Sequence, residues 1–263
     1  MAAVNDEPAL QTIGGIRVEI ATRGTGRPLL FLHPEIGFDF AAPALDALAA
    51  KARLVAPSHP AFGRSEVPHW MSTIDDLAYF YLDLLDELDL RNVALVGVSF
   101  GAWLAAEIAI KSTARFSHLV LAGALGIKVG DRETRDMPDI FAMTDAQYLE
   151  TVFADPALAK RDYTMMADAD LKAIARNREA TARYGWSPYL HDPKLKRRLH
   201  RIRVPTLVLW GDKDRMTTPD YGRALAAAIP AARFETIERA GHFPHVEQPA
   251  AFAQKTLGFI GLA

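Results

Sequence analysis

Cysteine is absent from the 263 residues, which excludes disulfides, thiolate catalysis and cysteine-ligated metals. Neither sign of charge dominates: 30 Lys and Arg stand against 32 Asp and Glu, a formal net charge of −2. Nothing in that balance calls for nucleic acid or another polyanion. No apolar run reaches membrane-spanning length. The opening residues are acidic where a secretory leader would be basic and then apolar. Histidines and carboxylates are scattered without an H-E-x-x-H pattern, so no metal and no cofactor are expected. Repeats and low-complexity stretches are missing too. These absences leave a cytoplasmic protein with a small-molecule substrate, no nucleic-acid partner and no membrane attachment. Half of the residues are hydrophobic, enough to bury one large core.

What is present centres on residues 93–109. A short apolar strand runs into Gly97-Val98-Ser99-Phe100-Gly101, and an apolar helix follows. A serine between two glycines at a strand-to-helix turn is the pattern of a nucleophile elbow. The turn strains the serine backbone, and the glycines let strand and helix approach closely. The Ser99 hydroxyl is expected to stand exposed above the sheet, with the Phe100 amide at the helix start.

The remaining chain alternates strands and helices. Segments 10–13 and 16–22 flank Gly14-Gly15 and read as an antiparallel hairpin. Residues 29–33 form a fully apolar run suited to a parallel sheet, and a helix is expected over 40–51. A strand at 53–57 and a loop precede Thr73 and Asp76, a capping-box pair opening a long amphipathic helix. A strand at 119–122 follows the elbow. The alternation then stops, resuming with strands at 204–210 and 233–237 and helices at 221–229 and 249–260. Between them, four short helices are expected, opening near Thr144, Asp155, Asp168 or Asp170, and Pro193. The pattern implies an α/β architecture: a mostly parallel sheet of about eight strands flanked by helices. Its core spans residues 1–125 and 204–263, and the inserted segment 126–203 reads as a helical lid.

A serine hydroxyl needs a base, and the base needs an orienting acid. Both stand in loops after later strands: Asp212 and Asp214 after one, His242 after the next. The order Ser, Asp, His suits an elbow serine.

In segments 30–33, 60–65, 97–101, 210–214 and 241–249, along nearly its whole length, the chain resembles the α/β-hydrolase superfamily. The resemblance implies a triad of Ser99, Asp214 and His242, with Asp212 the competing acid. It implies bracing or capping roles for His245 and Glu247, and hydrogen-bonded loop roles for His33 and His59. It also implies an oxyanion hole formed by the amides of Phe100 and of a residue after the third strand. Relatives carry H-G-x there; this chain has His33-Pro34-Glu35. Proline has no N–H, so the donor falls to Glu35. Its carboxylate, unfavourable beside an anionic intermediate, is expected to point outward, to be protonated, or to contact a cationic part of the substrate. Trp103, Phe153, Trp186 and Phe243 are expected to line an apolar substrate pocket.

The function implied is a cofactor-free serine hydrolase cleaving an ester, thioester or lactone of a hydrophobic acid through an acyl-enzyme. Carbon–carbon hydrolysis of meta-cleavage diketones is the alternative. Against it stand S-F-G-A where such relatives have S-M-G-G, and Phe243 where they have Trp. Cofactor-free haloperoxidase activity uses the same triad, and a binding protein on a hydrolase scaffold is the non-enzymatic alternative.

Overall fold

The computed structural model describes residues 5–131 and 133–263; the first four residues of the acidic opening stretch lie outside them. Eight strands form one sheet in the order β1-β2-β4-β3-β5-β6-β7-β8. They are β1 (Asn5–Ile13), β2 (Ile16–Arg23), β3 (Pro28–Leu32), β4 (Arg53–Pro57), β5 (Val93–Val98), β6 (Phe116–Ala122), β7 (Thr206–Gly211) and β8 (Arg233–Ile237). The β1–β2 and β2–β4 pairs are antiparallel, and every pair from β4 through β3 to β8 is parallel. The hairpin turns at Gly14 and Gly15, whose φ values of 56° and 78° are those a two-residue turn of this hand requires.

Flanking the sheet are α1 (Ala42–Ala49), α2 (Ile74–Glu87), α3 (Phe100–Lys111), α7 (Pro219–Ala228) and, after the short α8 (Pro244–Glu247), α9 (Pro249–Ile260). The first is shorter than the sequence suggests, because φ is positive at Phe40 and the chain becomes helical only after Ala41. The capping box at Thr73 and Asp76 opens α2, each side chain bonding the other's backbone N–H. All residues of β5 are buried, as are the residues of α3 through Ile110. Helix α3 is therefore buried all round, apolar but for Glu107, and forms the centre of the core.

Among the described residues, the stretch between β6 and β7 adds no strand to the sheet. It holds α4 (Asp145–Val152), α5 (Asp168–Gly185), α6 (Leu195–Arg198) and short 3-10 turns. Helical segments open after Thr144, after Asp155, at Asp168 and at Leu195, close to where the sequence places them, but α5 is not short: it runs 18 residues. Asp168 and Asp170 lie in its first turn, where acidic groups complement the helix dipole, and Ala167 is the cap. The segment is pinned to the core by Asn177, which accepts from the Gly63 amide at 2.9 Å, and by Tyr184, which donates to Pro60 O at 3.1 Å.

Candidate active site

The central strand β5 ends at Val98, and Ser99 follows at φ 51°, ψ −115°. A non-glycine residue held there carries strain of about 1–3 kcal/mol. Close packing enforces it. A Cβ at Gly97 would sit 2.3 Å from Gly101 O, and one at Gly101 would sit 2.1 Å from Leu32 O. The Ser99 amide donates to Ala122 O at 2.9 Å, fixing the turn to β6.

His242 is delivered by the loop after β8 and Asp214 by the loop after β7. Ser99 Oγ lies 2.7 Å from His242 Nε2, and His242 Nδ1 lies 2.9 Å from Asp214 Oδ2. Asp214 is itself held: its Oδ1 accepts from the amides of Met216 at 2.9 Å and Thr217 at 3.0 Å. The Thr217 hydroxyl donates to Asp214 Oδ2 at 3.1 Å. No sequence signal singled out Thr217. Asp212 lies elsewhere, accepting from the Ala240 amide at 3.3 Å and pairing with Lys213. Burial opposes charging of the His242 ring, but Asp214 and then Glu35 outweigh it, so its pKa lies above the usual value.

Two expectations are overturned at this point. Ser99 is not exposed; its accessibility is 0%. Nor does Glu35 point outward. Its Oε2 accepts from the Ser99 hydroxyl at 2.6 Å, and its Oε1 accepts from Tyr148 at 3.4 Å. The cause is local. Gly37 N donates to Pro34 O at 2.9 Å, closing a turn that holds Glu35 directly after β3. Helix α4 then covers it, leaving the residue buried. Sequence offered no sign of Tyr148, which comes from a helix far along the chain.

A cavity of about 780 Å³, including open solvent at its mouth, abuts this cluster. Glu35, Ile36, Phe141, Tyr148, Leu149 and Phe153 line it, with Arg161 and Arg178 among the polar groups. Arg161 is paired with Asp39 at 2.7 Å, and Arg178 donates to Ile140 O at 3.2 Å. Of the four aromatics assigned to the pocket, only Phe153 lines this cavity. Phe243 packs behind it, ring centroids 5.4 Å apart. Trp103 is buried against Phe100 and its indole N–H donates to Glu107 at 3.3 Å. Trp186 is 59% exposed and meets Phe141 edge-on.

His33, His59 and His245 are structural in their contacts. His33 Nε2 accepts from the His59 amide at 3.0 Å, and His59 Nδ1 lies 2.5 Å from the Tyr81 hydroxyl. Burial lowers the His33 pKa to about 4 and that of His245 to about 3. His245 packs among Phe31, Phe243 and Phe252. Glu247 caps backbone: it accepts from the amides of Gly241 at 2.5 Å and Ala154 at 2.8 Å. Among the described residues no cluster of three or more metal-ligating side chains occurs, and no helix is long and apolar enough to cross a membrane.

Comparison with known proteins agrees with this architecture. The chain is 26% identical over 229 residues to 3-oxoadipate enol-lactonase 1 of Acinetobacter baylyi, covering 83% of this chain and 82% of that protein. It is 25% identical to 2-hydroxy-6-oxo-2,4-heptadienoate hydrolase of Pseudomonas putida, covering 99% of each. Its fold superposes on the enol-lactonase of Burkholderia xenovorans with a TM-score of 0.78 at 22% identity, covering 96% of this chain and 100% of that one. A sequence model of the Alpha/beta hydrolase family matches residues 29–255. With its eight-stranded, mostly parallel sheet, the chain belongs to the alpha/beta hydrolase family of enzymes.

Proposed function

We propose that the protein is a serine hydrolase that cleaves an ester or lactone of a hydrophobic small-molecule acid through an acyl-enzyme. The observation that carries this reading is the unbroken relay from Asp214 through His242 to Ser99, with contacts of 2.9 and 2.7 Å. Ser99 attacks the carbonyl, and the amides of Phe100 and Glu35 serve the oxyanion. Segment 126–203 acts as the lid over the site, with Phe153 as the substrate-facing aromatic. The mostly apolar walls of the cavity suit an acyl group of this kind. The enzyme works in the cytoplasm, without nucleic acid or cofactor.

A second reading, carbon–carbon hydrolysis, is favoured by one finding. The Pseudomonas putida relative, matched along 99% of both chains, is by its name a hydrolase of a 6-oxo-dienoate. The Acinetobacter baylyi relative is by its name an enol-lactonase, and a lactone is a cyclic ester. One experiment separates the readings: turnover of a panel of p-nitrophenyl esters of increasing chain length, a lactone and a meta-cleavage dione, by wild type and Ser99→Ala. Ester or lactone turnover that vanishes in the variant supports the proposal. Dione turnover far above ester turnover replaces it with the second reading, and activity retained by Ser99→Ala removes both.

A further inference from the structure

The apolar cavity keeps one carboxyl against the nucleophile. Glu35 lines the cavity and is buried, with Oε2 2.6 Å from Ser99 Oγ and Oε1 3.4 Å from the Tyr148 hydroxyl. Burying such a group is costly unless hydrogen bonds replace its hydration. A carboxylate can accept at about four lone-pair sites. Among the described residues it meets two hydroxyls, one of them at long range, and no lysine or arginine. The other polar side chains of the cavity are taken. Arg161 pairs with Asp39 at 2.7 Å, and Arg178 donates to Ile140 O at 3.2 Å. Asn177 accepts from the Gly63 amide at 2.9 Å and donates to Ile36 O at 3.3 Å, while Thr181 donates to Asn177 O at 2.8 Å.

The short contact to Ser99 also has to be given up during catalysis. Oγ carries one proton, and His242 Nε2, the base, is 2.7 Å away. An ionised Glu35 competes with His242 for that proton. A protonated Glu35 donates to Oγ instead and ties up a lone pair of the attacking oxygen. In both states the nucleophile is freed when another group takes its place on the carboxyl.

We propose that Glu35, with Tyr148, is a specificity site for a substrate hydroxyl on the carbon next to the scissile carbonyl, so that the acid released is a hydrophobic 2-hydroxy acid. The proposal rests on the serine-hydrolase reading. The position follows from reach. Once Oγ is bonded to the acyl carbon, an oxygen on the next carbon stands two bonds further on, within hydrogen-bond range of a carboxyl that touches Oγ. A hydroxyl both donates and accepts, so it pairs with the carboxyl in either protonation state. It takes over the contact that Ser99 makes in the free enzyme. As Oγ bonds to the acyl carbon, the Ser99 proton then passes to His242 Nε2. A donor bound to an ionised Glu35 also moderates its opposition to the charge developing on the substrate oxygen. Leu149 and Phe153 are left to hold the apolar remainder of the acyl chain.

The test compares phenyl esters of butanoic, 2-fluorobutanoic, 2-hydroxybutanoic and 2-aminobutanoic acids, each kcat/KM divided by that ester's rate of alkaline hydrolysis. The fluoro ester resembles the hydroxy ester in size and electron withdrawal but donates no hydrogen bond. Wild type should favour the hydroxy ester by at least about tenfold over the fluoro and unsubstituted esters, well within what a site built around a substrate hydroxyl discriminates. The preference should disappear in Glu35→Leu, with Glu35→Ala as the second variant and melting temperature as the check on folding. Ratios are taken within one protein, so a general change in activity cancels. A smaller preference in wild type overturns the proposal, whether or not the variants fold. So does a preference that survives in either folded variant. An amino ester favoured above the hydroxy ester overturns it too, since the site would then select a cation. Ester turnover that is absent from wild type, or undiminished in Ser99→Ala, would instead sink the parent reading and this one with it.

Discussion

Asp214 Oδ2 lies 2.9 Å from His242 Nδ1, whereas Asp212, two residues earlier, bonds the Ala240 amide at 3.3 Å. The two carboxylates therefore do different work despite their proximity in sequence. Asp214→Asn should lower kcat by up to about 10⁴, as the ring loses its tautomer and its counter-charge. Asp212→Asn should stay within about tenfold of wild type, since it loses only part of a loop bond. Steady-state kinetics on one ester decides the ranking, and the reverse order would move the acid to Asp212.

Phe153 lines the cavity and Trp186 stands 59% exposed on the outer side of Phe141. Phe153→Leu should change the chain-length preference across a p-nitrophenyl ester series, on the scale of about 1–3 kcal/mol per methylene. Trp186→Ala should leave the profile of preferences as it is. A shifted profile in the tryptophan variant, with none in the phenylalanine variant, would place the acyl site on the other side of the lid.

Acid should unfold this protein through its buried histidines. His33 and His245 are held neutral by burial, with pKa values lowered to about 4 and about 3 from the ordinary 6.5. His59 is lowered in the same way, by burial and then by His33. As pH falls below 6.5, the unfolded chain takes up protons that the fold refuses. Stability declines with a slope of up to about 1.4 kcal/mol per pH unit for each histidine. The loss is complete only below the folded-state values. His242 has the opposite sign: its raised pKa contributes stability below 6.5 that disappears as pH rises through the folded value. Urea midpoints measured from pH 7 to pH 4.5 should fall steadily, and more shallowly in His245→Leu. Equal slopes in the two proteins would show that His245 does not titrate on unfolding.

The parts of this protein that sequence discloses are those fixed by local sterics. The elbow is legible because Gly97 and Gly101 are demanded by backbone atoms within 2.3 Å of where a Cβ would be. The central strands β3, β4, β5 and β7 are legible because they are buried on both faces. The direction of Glu35 is not legible in the same way. It depends on a turn closed by Gly37 and on Tyr148, which is 113 positions away. The place of Trp103 is hidden for a related reason: α3 is buried on every side, so no amphipathic face shows which residues meet a ligand. The bounds of α5 are less legible because its buried face includes polar groups, among them Asn177 and Thr181.

Glu247 holds the Gly241 amide with one oxygen and the Ala154 and Asp155 amides with the other, while the His242 amide donates to Val152 O at 2.7 Å. The loop that carries the imidazole is thus buckled to the end of α4, the same helix that covers Glu35. The two are not separable modules. Replacing the insertion would remove the Ala154 and Asp155 amides and Val152 O, leaving Glu247 Oε1 and the His242 amide without these partners. A foreign insertion would have to bring its own partners for this loop, or the His242 ring would lose part of the support that sets its position.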